Sequence, residues 1–395
     1  MSLLARTLLA LLLGVASACA ARDPFEVTRE VVLESGTGTQ PSSIDRAPDG
    51  GYIVTGAFAN LRNVVIKTDA RGNTEWRYVL PSVVDVGDAS PRIYRALAMT
   101  SGHWLLCGDL DEGGDRVGLL VELDDKGKLV SRRELVPQVE GGYTFNMMRS
   151  CVRWDAGFVL LAFARKFAAP EQRAYWVTSL GEDGGFQWER LITASLTNVH
   201  GFSRPRILGN GELIFSAWQS AVGGPYATEL LRVDSMGRVA QQRTIDGVYW
   251  LVRAPDASKP IRLMSVFAGD DNTKSLVTLD RDFEILSNQT GPVPNNNASL
   301  AYEIQDGSIV IFGSHHMGAL DDAGIVTWGP DLERDIAEFR FEKPRRGGPF
   351  APIVGDAVPT ATANEFATIR MYITEADASG QRPESGMRLA FVRVR

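Results

Sequence analysis

Apolar and polar positions alternate along this chain in a phrase that returns about every 50 residues. Each phrase has a Gly-led apolar run, a polar loop, a second apolar run, a tight turn built on Asp and Gly, and a closing strand. The first copy shows it whole: Asp49, Gly50, Gly51, Tyr52, Ile53, Val54, Thr55 and Gly56, then Val64–Thr68, then Asp69, Ala70, Arg71, Gly72, and Trp76 beyond. Runs of four to six mainly apolar residues bounded by turn formers suit strands and are too short for helices. The phrase therefore predicts stacked four-stranded sheets.

Successive Gly-led strands begin near Gly51, Gly102, Gly157, Gly211, Pro260, Gly307 and Glu365. Apolar runs follow at 64–68, 118–123, 175–180, 229–233, 276–279, 324–328 and 389–394. Turns at Asp69–Gly72, Asp124–Gly127, Gly181–Gly184 and Asp234–Gly237 place Gly where a positive φ is wanted, and Asp where a side chain can hold the backbone two residues on. The fifth turn, Asp280–Phe283, lacks the glycine, and the sixth, near Asp331, is irregular. The expectation is an all-β, seven-bladed β-propeller. Because the chain ends at Arg395 just after a third strand, the last blade needs an outer strand from elsewhere. The β-like stretch holding Phe25, Val27, Val31, Val32 and Leu33 is placed to supply it and to remove the open edges.

In such units the turns after the first and third strands share one face. The longer second-to-third loops and the connections between units share the other. Loops of uneven length over a rigid scaffold are where function is expected.

Composition bears on compartment more than on fold. Arg6 ahead of an apolar run from Leu8 to Val15 reads as a secretory signal over residues 1–20, leaving 21–395 as one propeller domain. Ala16, Ser17, Ala18 and Cys19 allow either plain cleavage or a lipobox with Cys19 lipidated, so the protein is expected in the periplasm or at the outer membrane. Membrane contact would then come only through that lipid. A net charge of −7 argues against nucleic acid, whose binding rests on basic patches. In an oxidising compartment Cys107 and Cys151 could pair; the repeat puts them on neighbouring blades at heights about two residues apart, which leaves a disulfide and two free thiols both open.

The run Gly50–Gly56 with Asp69, Gly72, Asn73 and Trp76 resembles the repeats of bacterial secreted and envelope β-propellers, a broad group with quinoprotein-like and assembly-factor-like members. The resemblance spans residues 25–395 at the level of pattern and implies the fold, not a chemistry. Gly72 with Trp76 and Gly184 with Trp188 share the Gly-to-Trp spacing of quinoprotein docking repeats, but Asp69 stands one residue too near Gly72 and most units lack the Trp. Packing between outer strands is the simpler role for both tryptophans. WD40, kelch and Asp-box patterns are not met.

Candidate chemistry is thin. His315 and His316 are placed in a loop of the sixth unit, near Asp321 and Asp322, with His200 on a connection of the same face. Adjacent histidines on an extended backbone point apart, so no metal site is expected. Asp109, Asp111, Glu112 and Asp115 form one acidic group, and Asp270 with Asp271 another; neither has the spacing of a calcium loop, and exposed solubilising loops are expected. Arg345 and Arg346 offer positive charge on the same face. There is no Gly-x-Ser-x-Gly elbow, and no catalytic residue or cofactor is assigned. The expectation is a monomeric, exported, non-enzymatic binding or scaffolding module. His200, Asp270, Asp271, His315, His316, Arg345 and Arg346 are its binding-face candidates, and another envelope protein or a saccharide its partner. The rival is an envelope hydrolase, lyase or quinoprotein-like oxidoreductase with a site in the central channel.

Overall fold

The computed structural model describes residues 25–395 apart from 36–38, 59–61, 81–89, 113–114, 139–143, 167–171, 197–198, 200, 220–225, 255, 266–272, 293–295, 318–319, 329–335, 341–344, 347–353 and 374–384. The described strands fall into seven antiparallel sheets. In chain order the first is Gln40–Arg46, Tyr52–Ala57, Asn63–Thr68 and Thr74–Val79, and each later sheet repeats that up-and-down order. The last is different. Its strands Val354–Pro359, Glu365–Ile373 and Ser385–Val394 are completed by Phe25–Glu34, which pairs with Ser385–Val394 from Phe25 opposite Val394 to Glu34 opposite Met387. Strands from near the start and the end of the described residues thus share one sheet.

Closure is also visible in the packing. A separate apolar cluster fills each gap between consecutive sheets. Ile53 and Val65 meet Trp104, Leu106 and Val121 between the first two. Ile44, Val54 and Ile66 meet Ile369, Leu389 and Phe391 between the last and the first. Because every second side chain of a strand faces one neighbour and the alternate set faces the other, central strands are apolar on both sides. The strand Gly157–Lys166 is accordingly buried along eight of its ten residues.

The expectation of like four-stranded units needs correction. Five sheets have four strands, and two have a fifth piece. In the fourth sheet the inner strand is broken into Gly201–Phe202 and Arg206–Ile207 around Pro205, which has no N–H to give a ladder. In the sixth, Arg345–Arg346 adds to Leu320–Trp328. The odd fifth turn keeps its geometry without glycine: Phe283 adopts φ 63°, and its ring is fully buried among Leu208, Leu263 and Val277. Asp280 Oδ1 accepts from the Asp282 and Glu284 amides, as Asp69 Oδ1 does from Arg71 and Asn73.

The tryptophans at the turns are interlocking pieces. Trp76 meets Trp104 edge-on with centroids 6.2 Å apart, and Gly127 of the second sheet lies so close that a Cβ there would stand 2.5 Å from the indole. Trp188 takes the same place over Gly237, one unit further on again. Cys107 and Cys151 are buried side by side between the second and third sheets, with Cα atoms 6.5 Å apart, inside the span a disulfide requires.

Candidate functional site at the channel

The first strand of each sheet lines the centre, and five of these strands carry a register shift at matching points: between Pro41 and Ser43, Ile93 and Arg95, Met148 and Ser150, Ala298 and Leu300, and Val354 and Asp356. A bulge adds a residue and turns the following side chains, which is how a strand re-aims groups toward a site.

Across that wall, the sheets in turn supply Asp45, Arg95, the Cys151 carbonyl, Arg204, Arg253, Tyr302 and Asp356 to one bonded layer. Arg95 grips Asp45 with two parallel bonds of 2.6 Å, and its third nitrogen donates to the Cys151 carbonyl at 2.6 Å. Arg204 bridges from Asp45 Oδ1 to Asp356 Oδ2, the latter at 3.1 Å. Arg253 Nη1 lies 3.0 Å from Asp356 Oδ1 and donates to the Tyr302 hydroxyl at 2.6 Å. Asp356 also accepts the amides of Ile44 and Ala357, at 3.1 and 2.9 Å.

Three guanidiniums face two carboxylates, so the layer carries one positive charge in excess. Its side chains are only 7 to 19% exposed, where charge interacts more strongly than at a surface. Burial by itself would raise the Asp45 carboxyl, but the Arg204 and Arg95 charges outweigh it and hold the group below the usual carboxylate range. Burial, then the neighbouring Arg204 charge, lowers Arg95 against the pull of Asp45. Burial raises the Tyr302 phenol, which stays a neutral donor. A general base working near neutral pH needs a carboxylate raised toward that range and a free lone pair aimed at the substrate. Asp45 is shifted the other way, and Asp356 already serves two amides and two guanidiniums. The layer is suited to hold charge, not to move protons.

The layer divides the channel. Toward the long-loop face lies a cavity of about 190 Å³, walled by Ser42, Tyr94, Ser150, Phe202, Trp250 and Leu300 and floored by Arg95, Arg204, Arg253 and Asp356. Toward the short-turn face a wider space of about 740 Å³ opens between Arg46, Pro48, Thr100 and Arg153. Ser43 and Ser203 at the cavity edge bond within their own sheets, to Thr55 at 2.8 Å and Ser216 at 2.6 Å. Tyr94 gives its hydroxyl to Asp109.

His200, Asp270 and Asp271 lie outside the described residues, as does Cys19. His315 and His316 are not in a loop: they end the strand Ile309–Met317, opposite Asp322 and Asp321. Arg345 and Arg346 are a short strand and not a loose connection, with Arg345 opposite Asp321, because the sixth-sheet hairpin is long enough to pair a further piece. That hairpin sets His316 and Arg345 on either side of Asp321 in register. Asp109 departs from the expected exposed acidic loop too: it is fully buried in the strand Trp104–Glu112. Among the described residues no group of three or more His, Cys, Asp or Glu could hold a metal ion.

Other buried acids serve the frame. Glu229 accepts from Tyr175 Oη at 2.5 Å, Gln242 Nε2 at 2.6 Å and the Ser195 amide at 3.0 Å, tying the connection after the third sheet to the fourth. Asn63 does the same between the first two sheets, accepting the Ile93 amide at 2.9 Å.

No known protein family profile matches this chain, and no curated protein matches it. Among solved structures it is similar to the propeller of Dos1, at 10% identity over 90% of this chain and 78% of that one, with a TM-score of 0.50. It is similar also to a protein of unknown function from Dyadobacter fermentans, at 10% identity over 94% and 100%, with a TM-score of 0.50. These similarities show the β-propeller fold and nothing finer.

Proposed function

We propose that this is an exported, non-enzymatic binding module of the cell envelope, whose recognition surface is the mouth of the central channel on the long-loop side. One observation supports this above the rest: an open cavity ends on three guanidiniums whose two carboxylate partners are both fully engaged. Such a floor offers donors and a charge to a ligand but no acid or base to a reaction. Serine hydroxyls and the faces of Tyr94, Phe202 and Trp250 around it match the mixed polar and aromatic lining of binding sites. The partner is another envelope protein, presenting an acidic group to the cavity.

A photo-crosslinking side chain at Ser42, exposed at this mouth, tests the reading against the same group at Thr100 on the opposite mouth. Crosslinking in the native envelope is expected to trap one stoichiometric protein from Ser42 and not from Thr100. Equal labelling from both positions, or none from Ser42, refutes it.

A further inference from the structure

The charge of the bonded layer narrows the ligand. This step rests on the long-loop mouth being the binding surface and concerns what chemistry enters it. We propose that the cavity binds a single carboxylate group, held by the free edge of Arg253 and the Nε of Arg204 above Asp356.

The donors are in place. Arg253 spends one nitrogen, Nη1, on Tyr302, Ala357 and Asp356; its Nε and Nη2 make no hydrogen bond to any described residue. Arg204 spends Nη1 and Nη2 on the two aspartates and likewise leaves Nε without an acceptor among the described residues. A guanidinium edge with Nε and an Nη free presents two parallel N–H bonds, the fork that fits a carboxylate. Both residues line the cavity floor, and the Tyr302 ring, 5.1 Å beneath the Arg253 guanidinium carbon, keeps that plane oriented.

Charge selects between anions. The layer holds three positive and two negative groups, so one monoanion brings it to neutrality. A phosphate monoester, carrying nearly two charges at neutral pH, would overshoot and place its surplus beside Asp356 and Asp45, where like charges within one poorly solvated layer repel. Size points the same way: about 190 Å³ lies below the usual range for drug-sized ligands, so a small acid or the acidic tip of a larger molecule is what fits. Trp250, Phe202 and Leu300 give the carbon atoms behind the carboxylate an apolar wall.

The test uses the purified full-length protein and isothermal titration with sodium glucuronate and with N-acetylglycine, one a ring-borne acid and the other a peptide-like terminal acid. Glucose, N-acetylglycinamide and inorganic phosphate at matched ionic strength are the controls. Saturable binding of one or both acids, with none of the neutral analogues and with phosphate at least tenfold weaker, is expected; which acid binds better distinguishes a saccharide source from a protein terminus. Arg253→Met is expected to weaken binding by about tenfold or more, the loss of a charged pair of bonds. Ser42→Asp, an exposed wall position where folding is not at stake, sets a competing carboxylate at the mouth and is expected to weaken it similarly, while Ser42→Ala changes it less than threefold. Neutral analogues binding as well as the acids, phosphate binding as tightly, or both Arg253→Met and Ser42→Asp leaving affinity unchanged overturns the proposal. Crosslinking from Ser42 that persists when no acid binds would sink the carboxylate alone and leave the binding mouth standing.

Discussion

Asp356→Ala is the sharpest perturbation of the channel layer. The carboxylate is 7% exposed, accepts the amides of Ile44 and Ala357, and pairs with Arg204 and Arg253. Its removal leaves two buried amides without this acceptor, and an unsatisfied buried amide costs about 1–3 kcal/mol. It also takes the layer from one excess positive charge to two, and breaking a buried ion pair by deleting one partner costs about 3–5 kcal/mol. These overlap, so a net destabilisation of about 4 kcal/mol is expected. Glu134→Ala, which removes a half-exposed partner 3.7 Å from Arg132, should cost about 0–1 kcal/mol. Urea unfolding followed by both tryptophan fluorescence and far-ultraviolet circular dichroism gives the comparison, with coincident transitions as the check that one free energy describes it. The charge argument has its own signature. Deleting a guanidinium as well, in Asp356→Ala with Arg253→Met, restores the original excess, so the double variant should be more stable than the sum of the singles by about 1–3 kcal/mol. A cost below about 1 kcal/mol for Asp356→Ala, or additivity in the cycle, would show that the layer is ordinary solvated polar surface.

Other consequences follow from single contacts. Asp45 is held below the usual carboxylate range, so its contribution to stability is complete above the unfolded value near 3.9 and is lost as pH falls through the folded one. Melting temperature should therefore drop more steeply below about pH 4 in the wild type than in Asp45→Asn, and parallel curves would remove the argument. Gly127→Ala and Gly102→Ala both put alanine at a positive φ, 75° and 84°, but only the first drives a methyl to 2.5 Å from Trp76. The first should cost about 2–4 kcal/mol and the second about 1, and equal losses would mean the indole yields freely. Cys107 and Cys151, if exported, should be recovered two hydrogens lighter than the reduced chain by intact mass, with reduction costing about 2–4 kcal/mol; recovery as free thiols would refute the pairing.

The strands and their tight turns were readable along the chain because they are local. Alternation with period two says which residues face a neighbouring sheet, and Asp with Gly at fixed offsets says where the chain reverses. The terminal pairing was readable for a related reason: a unit that ends without its outer strand leaves a row of unpaired backbone groups, and Phe25–Glu34 carries an unassigned β-like pattern able to satisfy them. Even the fifth turn, flagged by its missing glycine, became Phe283 at positive φ. The unevenness of the fourth and sixth sheets was not readable, since two-residue strands carry no periodicity.

The binding layer was invisible for a physical reason. Asp45, Arg95, Arg204, Arg253, Tyr302 and Asp356 each stand in a different repeat, a few residues before the turn into the Gly-led strand, and each alone looks like a polar residue at a strand end. A recurring charged or aromatic residue at that one place was the available signal. Its meaning depends on distance across a circle: Arg204 and Asp45 are 159 residues apart in sequence and bonded in space. Histidines stand out by their chemistry, but letters alone could not show that His315 and His316 end the strand Ile309–Met317 opposite Asp322 and Asp321. The sequence by itself determined the strands, their turns and the joining of its ends, because hydrogen-bonded alternation is a nearest-neighbour property. Only the tertiary structure decided which charges meet, because closing the ring brings every first strand to one axis, and the sign and balance of charge there belong to no single repeat.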